Sequence, residues 1–313
     1  MKINDIEKSH KAIQRYIRKT PLIRFYALEL FLKTKAKIYL KCENLQITHS
    51  FKIRGAMSAL LSLTNEQKKK GVVTRSSGNF AQALSYGCHH LQIPVTIIMP
   101  ENVPRVKKEK TERYNPKILF GKTRQEEEEL VEKIAHQEKK IPFSPYNSLN
   151  VMLGQATLAL EILEDVEIKY FYCPVGGGGL MSGNAWILKK KKPQIETVAI
   201  EPLQANDFQL SLKAKKRTAL SHPQSIADGL LAPIVGDLNW PYLQKYVDRV
   251  EVVSDNAIKM AMRFLYEKAG LIVEPSGAVT VAALMESKQL LGDTVCVLSG
   301  GNVVMDQFYK WIQ

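Results

Sequence analysis

The sequence predicts an α/β fold in which two domains are each built on a parallel sheet. Short apolar runs rich in β-branched residues recur along the 313 residues, and patterns with helical periodicity lie between most of them. Strands that alternate with helices favour parallel sheets covered by helices on both faces. With 45% apolar residues the chain can bury a large core, and its length exceeds that of one compact domain.

Eight strands are predicted from the apolar runs. In chain order they are Lys37–Cys42, Val72–Thr74, Val95–Met99, Lys117–Phe120, Tyr170–Val175, Thr197–Ile200, Val250–Val253 and Thr294–Leu298. Five helices have the clearest helical periodicity and are expected to cover the sheets. They are Phe51–Leu63, Phe80–Leu91, Arg124–Gln137, Ala257–Ala269 and Gly277–Leu291.

Composition and charge argue against several classes of function. No segment approaches the roughly 20 apolar residues of a membrane span, so we expect a cytoplasmic protein that does not bind membranes. The four cysteines are isolated from one another, which argues against a disulfide framework or a Cys/His zinc site. The formal net charge is +13, but much of the excess lies in lysine runs such as 68–70 and 189–192. Since no recognition motif accompanies them, we expect no nucleic-acid partner.

Ligands of parallel α/β sheets bind at the carboxyl ends of strands, so the junctions where a strand leads into a helix are the candidate site. The first such junction holds Lys52 near the start of a predicted helix. There the helix dipole disfavours the protonated amine, and a partly neutral amine can bond to an aldehyde cofactor. Taken alone, a purely structural lysine is the simpler interpretation.

Two further junctions offer hydroxyl and amide groups. Ser76-Ser77-Gly78-Asn79 precedes Phe80, and Ser299-Gly300-Gly301-Asn302 follows the last predicted strand. Such residues can contact a ligand, but a helix cap at the first and a tight turn at the second are the alternatives.

The strongest single signal is Gly176-Gly177-Gly178-Gly179, which connects a strand to a helix. Without side chains, several backbone N–H groups can converge on one phosphate at the helix N-terminus. A dinucleotide fingerprint does not fit, because Met181 or Ser182 stands where its last glycine is required. A Walker loop does not fit either, because Asn184 follows Gly183 in place of lysine. We therefore expect a smaller phosphate-bearing cofactor.

The junctions, in this order and spacing, resemble those of the fold-type II PLP enzymes of the threonine dehydratase and serine racemase family. The resemblance extends from Arg18-Lys19-Thr20-Pro21-Leu22 to the motif at 299–302. It implies a tryptophan synthase beta-like fold with pyridoxal 5'-phosphate (PLP) in the cleft between two domains. A large PLP-binding domain would comprise residues 1–65 and 146–313, and a small mobile domain residues 66–145. Relatives are usually homodimers, so a homodimer is expected.

The resemblance also implies roles for single residues. Lys52 would carry the cofactor as a Schiff base and then act as the base at Cα, Asn79 would bind the ring hydroxyl, and the glycine loop would hold the phosphate. Ser299 would face the pyridine nitrogen, where a neutral hydroxyl favours β-elimination. The cofactor contacts implied in this way are Phe51, Lys52, Asn79, Gly176, Gly177, Gly178, Gly179, Leu180, Glu274 and Ser299.

The implied reaction is that of a threonine/serine ammonia-lyase, which converts L-threonine to 2-oxobutanoate and L-serine to pyruvate, each with ammonia. The implied substrate contacts are Ser76, Ser77, Asn79 and Phe80. Ser77 stands where relatives that racemise serine carry a second acid/base, so serine or other amino-acid racemase activity is the alternative. A 3-hydroxyaspartate dehydratase and a weakly active PLP-binding protein are more distant alternatives.

A divalent cation is implied by the segment Glu201-Pro202-Leu203-Gln204-Ala205-Asn206-Asp207. Its ligands in this chain would be Glu201, Asp207 and the carbonyl oxygen of Ala205. Hard oxygen ligands suit Mg²⁺ or Ca²⁺. Carboxylates that simply face solvent are the alternative.

Three departures from the family pattern fall near the implied site. His49 stands where the family usually has glycine, and Phe80 where it usually has histidine, so we expect a narrowed pocket and an altered substrate contact. Near the start of the helix that begins at Arg124, a glutamate stands where animal serine racemases place an arginine. This difference favours the ammonia-lyase.

Overall fold

Two sheets organise the chain in the computed structural model, which describes residues 1–287 and 292–313. The strands of the described residues are β1 (Leu22–Arg24), β2 (Ile38–Cys42), β3 (Val72–Arg75), β4 (Val95–Pro100), β5 (Lys117–Gly121), β6 (Ile141–Pro142), β7 (Tyr170–Pro174), β8 (Glu196–Pro202), β9 (Arg249–Val253) and β10 (Thr294–Leu298). The larger sheet has the order β1-β2-β10-β7-β8-β9, and the smaller one β5-β4-β3-β6. All pairs are parallel except β1 with β2, which is antiparallel.

Helices connect these strands and cover the sheets. Those of the described residues are α1 (Ile3–Ile13), α2 (Tyr26–Phe31), α3 (Lys52–Leu61), α4 (Asn65–Lys70), α5 (Asn79–Leu91), α6 (Arg105–Glu112), α7 (Arg124–Gln137), α8 (Leu149–Asp165), α9 (Gly179–Lys191), α10 (Asp207–Ala214), α11 (Trp240–Tyr246), α12 (Asp255–Ala269), α13 (Pro275–Glu286) and α14 (Met305–Ile312). Within the described residues, none of them is both long enough and apolar enough to cross a bilayer.

The predicted α/β class with two mostly parallel sheets is confirmed, and each of the eight predicted strands is present within a residue or two. The five predicted helices are also present. Residues 288–291 of the helix predicted at Gly277–Leu291 lie outside the described residues. The sequence missed β1 and β6, which are only three and two residues long. It also missed α8. Most of the residues of this helix are buried, so it has no polar face and its sequence shows no clear amphipathic period.

Helix α3 is packed so tightly against α8 that glycine is needed on both. A Cβ on Gly154 would lie 2.3 Å from the carbonyl oxygen of Arg54, and one on Gly55 would lie 2.4 Å from Nε2 of Gln155. On its other side, α3 contributes Ile53 and Met57 to the core cluster around the smaller sheet. The position of α3, and therefore of the lysine at its start, is fixed by both packing partners.

A buried charge network also anchors α3. The Arg54 guanidinium donates to Glu43 Oε1 at 2.8 Å and to Glu161 Oε1 at 2.7 Å, and Lys41 Nζ donates to Glu161 Oε2 at 2.6 Å. All four side chains are fully or almost fully buried. The two cations and two carboxylates satisfy one another, as buried charges must.

Candidate active site

The predicted junctions meet in one cleft between the two sheets, around a cavity of about 300 Å³. Its lining includes every residue that was predicted to bind cofactor or substrate. These are Phe51, Lys52, Ser76, Ser77, Asn79, Phe80, Gly176, Gly177, Gly178, Gly179, Leu180, Glu274 and Ser299. Segments far apart in sequence therefore converge at the carboxyl ends of their strands, as parallel sheets require.

Lys52 is the first residue of α3 and projects into the cleft. The preceding loop is tied to the end of β10, because Phe51 N donates to Ser299 O at 3.1 Å and Ser50 forms a β-bridge with Gly300. Lys52 Nζ donates to Pro145 O at 3.1 Å. Burial lowers the pKa of the Lys52 amine to about 8, and the Glu274 carboxylate acts in the opposite direction. An appreciable share of the amine is therefore neutral, and nucleophilic, near neutral pH.

The glycine loop forms a cradle that side chains would fill. Gly178 has a φ of +92°, and α9 begins at Gly179, so the N–H groups of its first turn have no helical partner. A Cβ on Gly177 would lie 2.3 Å from Cγ of the Tyr146 ring, and one on Gly179 would lie 3.0 Å from the Tyr146 backbone. The open space and the unpaired donors suit the phosphate of PLP.

Asn79 is held rigidly at the opposite side of the cleft. Its Nδ2 donates to Glu274 Oε1 at 2.7 Å, and its Oδ1 accepts from Asn302 Nδ2 at 2.8 Å. The backbone N–H of Asn302 donates to Glu274 Oε2 at 3.1 Å. Burial raises the pKa of the Glu274 carboxyl to about 7, and the carboxylate of Asp228 adds to the shift. The site therefore contains a carboxyl group that can carry a proton near neutral pH.

The three serines that were predicted in the site differ in their hydrogen bonding. Ser299 Oγ donates to Ser276 O at 3.2 Å, and Ser76 Oγ accepts from Ala81 N at 3.2 Å in the first turn of α5. Within the described residues Ser77 makes no side-chain hydrogen bond, although it lines the cleft. Its hydroxyl is thus available to a ligand.

His49 does not line the cleft, so the expectation that it narrows the pocket is wrong. The residue adopts a left-handed conformation with φ +55°, which explains why glycine is usual here. This backbone turns the exposed imidazole towards a second cavity beside α6, lined also by Lys110 and Arg113. Phe80 does line the cleft and is also packed in the core around the smaller sheet.

Sequence reasoning also missed other residues of the cleft, among them the polar residues Arg75, Lys110, Arg124, Tyr146 and Asn302. Only Asn302 belongs to a motif that was singled out. The glutamate that was expected to replace a racemase arginine lies on α7, but Arg124 of the same helix lines the cleft. The replacement of that arginine by a glutamate stays a prediction, and Arg124 places a guanidinium group of the same helix in the cleft lining.

The predicted cation ligands lie together away from the cleft. Glu201 and Asp207 are fully buried, and Ala205 lies between them in the connection from β8 to α10. Glu201 accepts from the N–H groups of Phe208 and Gln209 at 3.0 and 2.8 Å. Burial, with repulsion from Asp207, raises the pKa of Glu201 well above its ordinary value, and burial raises that of Asp207 to about 7. Oδ1 of Asp207 has no hydrogen-bond partner in the described residues.

The side chains at this position supply only some of the oxygen ligands that a divalent cation needs. Two buried carboxylates without a cationic partner are suited to a divalent ion, whose charge would offset their repulsion. Among the described residues, however, no group of three or more His, Cys, Asp or Glu side chains is placed to hold a metal. A cation here would need a backbone oxygen such as that of Ala205, and water, to complete its coordination.

Relatives of known activity match the chain over almost its whole length. A serine racemase of Dictyostelium discoideum is 38% identical, with 98% of this chain and 97% of the relative covered. An L-threo-3-hydroxyaspartate ammonia-lyase of Saccharomyces cerevisiae is 34% identical, with 97% and 94% covered. A catabolic L-threonine dehydratase of Staphylococcus aureus is 35% identical, with 96% and 89% covered.

The fold is likewise similar to that of solved structures. Maize serine racemase superposes with a TM-score of 0.95 at 36% sequence identity, covering 98% of this chain and 95% of that one. Residues 13–300 match the family described as pyridoxal-phosphate dependent enzyme. Since this match spans nearly all of the chain and takes in the lysine, the glycine cradle and the serine of the cleft, the protein belongs to the fold-type II family of PLP-dependent enzymes.

Proposed function

We propose that this enzyme is a threonine/serine ammonia-lyase, which converts L-threonine to 2-oxobutanoate and L-serine to pyruvate, each with release of ammonia. The observation that carries the proposal is the joint placement in one cleft of the Lys52 amine, the glycine cradle and the Ser299 hydroxyl. Bound PLP supplies an electron sink for the charge that develops at Cα when its proton leaves. Ser299 would contribute a neutral hydroxyl to the cofactor site, which would leave that sink weak and favour loss of the β-hydroxyl.

The chain's own groups have separate tasks in this proposal. Lys52, with its lowered pKa, receives the Cα proton. The loop at 176–179 and the first turn of α9 would hold the phosphate, and Asn79, fixed by Glu274 and Asn302, would orient the ring through its hydroxyl. The loop at 76–79, at the start of α5, binds the substrate carboxylate.

Amino-acid racemase activity is the second candidate function. It is favoured by Ser77, which lines the cleft and whose hydroxyl has no hydrogen-bond partner among the described residues, so that it can exchange a proton with Cα. The serine racemases among the relatives support this candidate to the same degree as the dehydratase supports the first.

The deciding experiment incubates the PLP-loaded enzyme with L-threonine and, separately, with L-serine, and follows both 2-oxo acid and D-amino acid. We expect 2-oxo acid as the main product, and its loss in Lys52→Ala. D-serine formed faster than pyruvate would establish the racemase instead. If the loaded enzyme gave neither product, both candidate functions would be wrong.

We further propose that Glu201, Asp207 and the carbonyl of Ala205 bind Mg²⁺ or Ca²⁺. Support comes from the two buried carboxylates and from the unpartnered Asp207 Oδ1.

We also propose that residues 66–145 move as one small domain over the substrate. In the present arrangement this segment reaches across the cleft through Lys107, paired with Asp228, and Lys110, which donates to Asn302 Oδ1 at 3.0 Å.

We propose a cytoplasmic homodimer. Four buried free cysteines are typical of a reducing compartment. Exposed apolar side chains gather on α2, where Leu30 is 78% exposed and Tyr26 and Phe31 are at least half exposed. A second subunit would cover such a patch, and sedimentation of the wild type against Leu30→Lys tests it.

A further inference from the structure

A cluster of aromatic rings lies on the surface near the end of α5. Tyr86 and His90 are four residues apart on this helix and share one side of it, with ring centroids 4.3 Å apart. The ring of Tyr114, just after α6, meets Tyr86 edge-on at 5.5 Å and lies 6.3 Å from the ring of His89. Both histidines are exposed and both tyrosines are partly exposed. These rings therefore form one continuous aromatic surface that solvent can reach.

Two arginines adjoin the rings. The Arg113 guanidinium lies over the Tyr114 ring, 4.9 Å from its centroid. Burial raises the pKa of the Tyr86 phenol, and Arg18 lies close enough to oppose the shift. Both arginines are exposed, and within the described residues neither forms a salt bridge, although Arg18 donates to Leu45 O at 3.2 Å. Their positive charges can therefore meet an anion from solution.

Neither the cofactor nor the proposed dimer uses this surface. None of the four aromatic residues lines the cofactor cleft, and nor does Arg18 or Arg113. The apolar patch proposed for dimerisation lies on α2. The carboxylates of α6 are paired within that helix, Glu109 with Arg105 and Glu112 with Lys108. The rings and the two arginines thus have no partner in what has been described so far.

Exposed rings beside guanidinium groups are typical of proteins that bind single strands of nucleic acid. Unpaired bases stack on aromatic side chains, and cationic groups meet the phosphates of the same strand. The formal net charge of +13 adds a long-range attraction for a polyanion. The lysine runs, which have no recognition motif, gave no reason to expect such a partner. The rings come from α5 and from the end of α6, so only the fold brings them together.

We propose that Tyr86, His89, His90 and Tyr114, with Arg18 and Arg113, form a binding surface for single-stranded nucleic acid. Bases stack on the tyrosine and histidine rings, and phosphates of the strand meet the two guanidinium groups. Because every base has a face that can stack, the surface binds without a strict sequence requirement. It is separate from the cleft, so the inference does not depend on which reaction the enzyme catalyses.

Fluorescence polarisation of the PLP-loaded enzyme with a labelled single-stranded oligoadenylate of about 12 nucleotides tests the proposal. We expect a Kd of about 1–100 µM, the range of binding without sequence specificity. Tyr114→Ala should weaken binding at least about fivefold, because stacking of one base contributes that much. Tyr114→Phe keeps the ring and should bind like the wild type. No binding in this range, or equal weakening by both substitutions, would overturn the surface.

Arg113→Gln separates the contribution of charge from that of stacking. Loss of one phosphate contact should reduce the slope of log Kd against log salt concentration by about 0.7, whereas Tyr114→Ala should leave the slope unchanged. The matched control is Arg263→Gln, which removes an equal charge from α12, where Arg263 pairs with Glu267. The control should keep both affinity and slope. Equal effects of the two arginine substitutions would mean that net charge alone attracts the strand.

Inorganic polyphosphate, which has the charge of a nucleic acid but no bases, is the matched competitor. It should displace the oligoadenylate at least about tenfold more weakly than unlabelled oligoadenylate does, because it cannot stack. Equally strong competition would show that the rings contribute nothing, and the proposal would be wrong.

Photo-crosslinking locates the strand on the unmodified enzyme, so this test does not depend on how well a variant folds. An oligonucleotide that contains 4-thiouridine is irradiated with the PLP-loaded wild type, and mass spectrometry identifies the crosslinked peptides. We expect crosslinks at residues 86–90 and 113–114. Crosslinks confined to the lysine runs at 68–70 and 189–192 would refute the surface.

Discussion

At the scale of single residues, the proposed bond between PLP and the Lys52 amine makes cofactor uptake depend on the protonation of that amine. Its pKa is lowered from 10.5 to about 8, so roughly one amine in ten is neutral at pH 7. Only the neutral amine attacks an aldehyde, so the rate of PLP uptake by the apoprotein should rise with pH and level off above about 8. Stopped-flow absorbance of the bound cofactor measures this rate.

Substitution of Glu274 tests whether the pH at which PLP uptake is half-maximal reports the pKa of Lys52. The Glu274 carboxylate raises the pKa of Lys52, so Glu274→Gln should move the midpoint to lower pH. A midpoint near the ordinary lysine value in the wild type would mean that Lys52 is not desolvated in the apoprotein.

Gly177 is a second residue whose substitution should have a measurable effect. Alanine there would place its Cβ 2.3 Å from the Tyr146 ring, and overpacking of this kind costs about 1–3 kcal/mol. We expect Gly177→Ala to lower both the Tm and the affinity for PLP, as measured by calorimetry with and without cofactor.

Gly78, in the loop at 76–79, provides the control for the effect on stability. A Cβ on Gly78 would meet nothing within 4 Å, so Gly78→Ala should keep its Tm. Removing the ring as well, in Gly177→Ala/Tyr146→Ala, should recover part of the lost Tm. Equal losses in Gly177→Ala and Gly78→Ala would contradict the steric explanation.

Residues of the site could be predicted from sequence where their role is local. Lys52, the loop at 176–179 and Ser299 each lie in a strand-to-helix junction whose composition indicates a ligand. Tyr146 and Arg124 have no such signal, because each reaches the cleft only through the packing of distant segments. Arg124 in particular has the i,i+4 pairing of a solvated helix surface. The side-chain direction of His49 depended on a left-handed φ that its position in a motif does not reveal.

At the scale of elements, the buried charge network decides how firmly α3 is held. Glu161 accepts from both Arg54 and Lys41, so Glu161→Gln would leave buried positive charge uncompensated. Breaking a buried pair in this way costs about 3–5 kcal/mol. We expect a loss of that size in the free energy of unfolding, measured by denaturant titration.

Helix α8, which carries Glu161, also carries a residue for the matched control. Glu164 pairs with Lys19 at 3.1 Å and is 56% exposed, so Glu164→Gln should cost less than about 1 kcal/mol. Similar losses for the two variants would mean that the network contributes no more than a surface ion pair.

Strands and helices could be predicted from the sequence where an apolar run or an amphipathic period marks them. The parallel strands of both sheets are apolar runs between turns, and α12 has a clear amphipathic period. By contrast α8 is buried around most of its circumference, and β1 depends on pairing with β2 rather than on its own sequence. Such elements are specified by their neighbours in the fold.

At the scale of the whole molecule, α6 connects the two sides of the cleft. Lys107 and Lys110 contact Asp228 and Asn302, which lie on the side of the larger sheet. Their joint replacement by alanine should favour an open form, so that KM rises several-fold and hydrogen exchange at 76–80 speeds up. Lys108→Ala is the control, because Lys108 pairs with Glu112 on its own helix and lies outside the cleft lining. Equal effects would show that α6 does not bridge the cleft.

The proposed cation belongs to the same scale, because it would stabilise the larger sheet as a whole. After dialysis against a chelator, Mg²⁺ or Ca²⁺ should raise the Tm of the wild type by several degrees. Asp207→Asn should abolish this rise, whereas Glu167→Gln, whose side chain is 93% exposed, should keep it. A wild-type Tm that does not respond to either ion would exclude the site.

The central strand of the larger sheet is also the last strand of the chain, and this order has a consequence for synthesis on the ribosome. β10 pairs with β2 on one side and β7 on the other, partners that emerge more than 250 and 120 residues earlier. Until β10 is synthesised, a nascent chain has two unpaired strand edges, and the loop before Lys52 lacks its β-bridge from Ser50 to Gly300. The enzyme therefore becomes able to take up PLP only after β10 has been synthesised and has paired with β2 and β7.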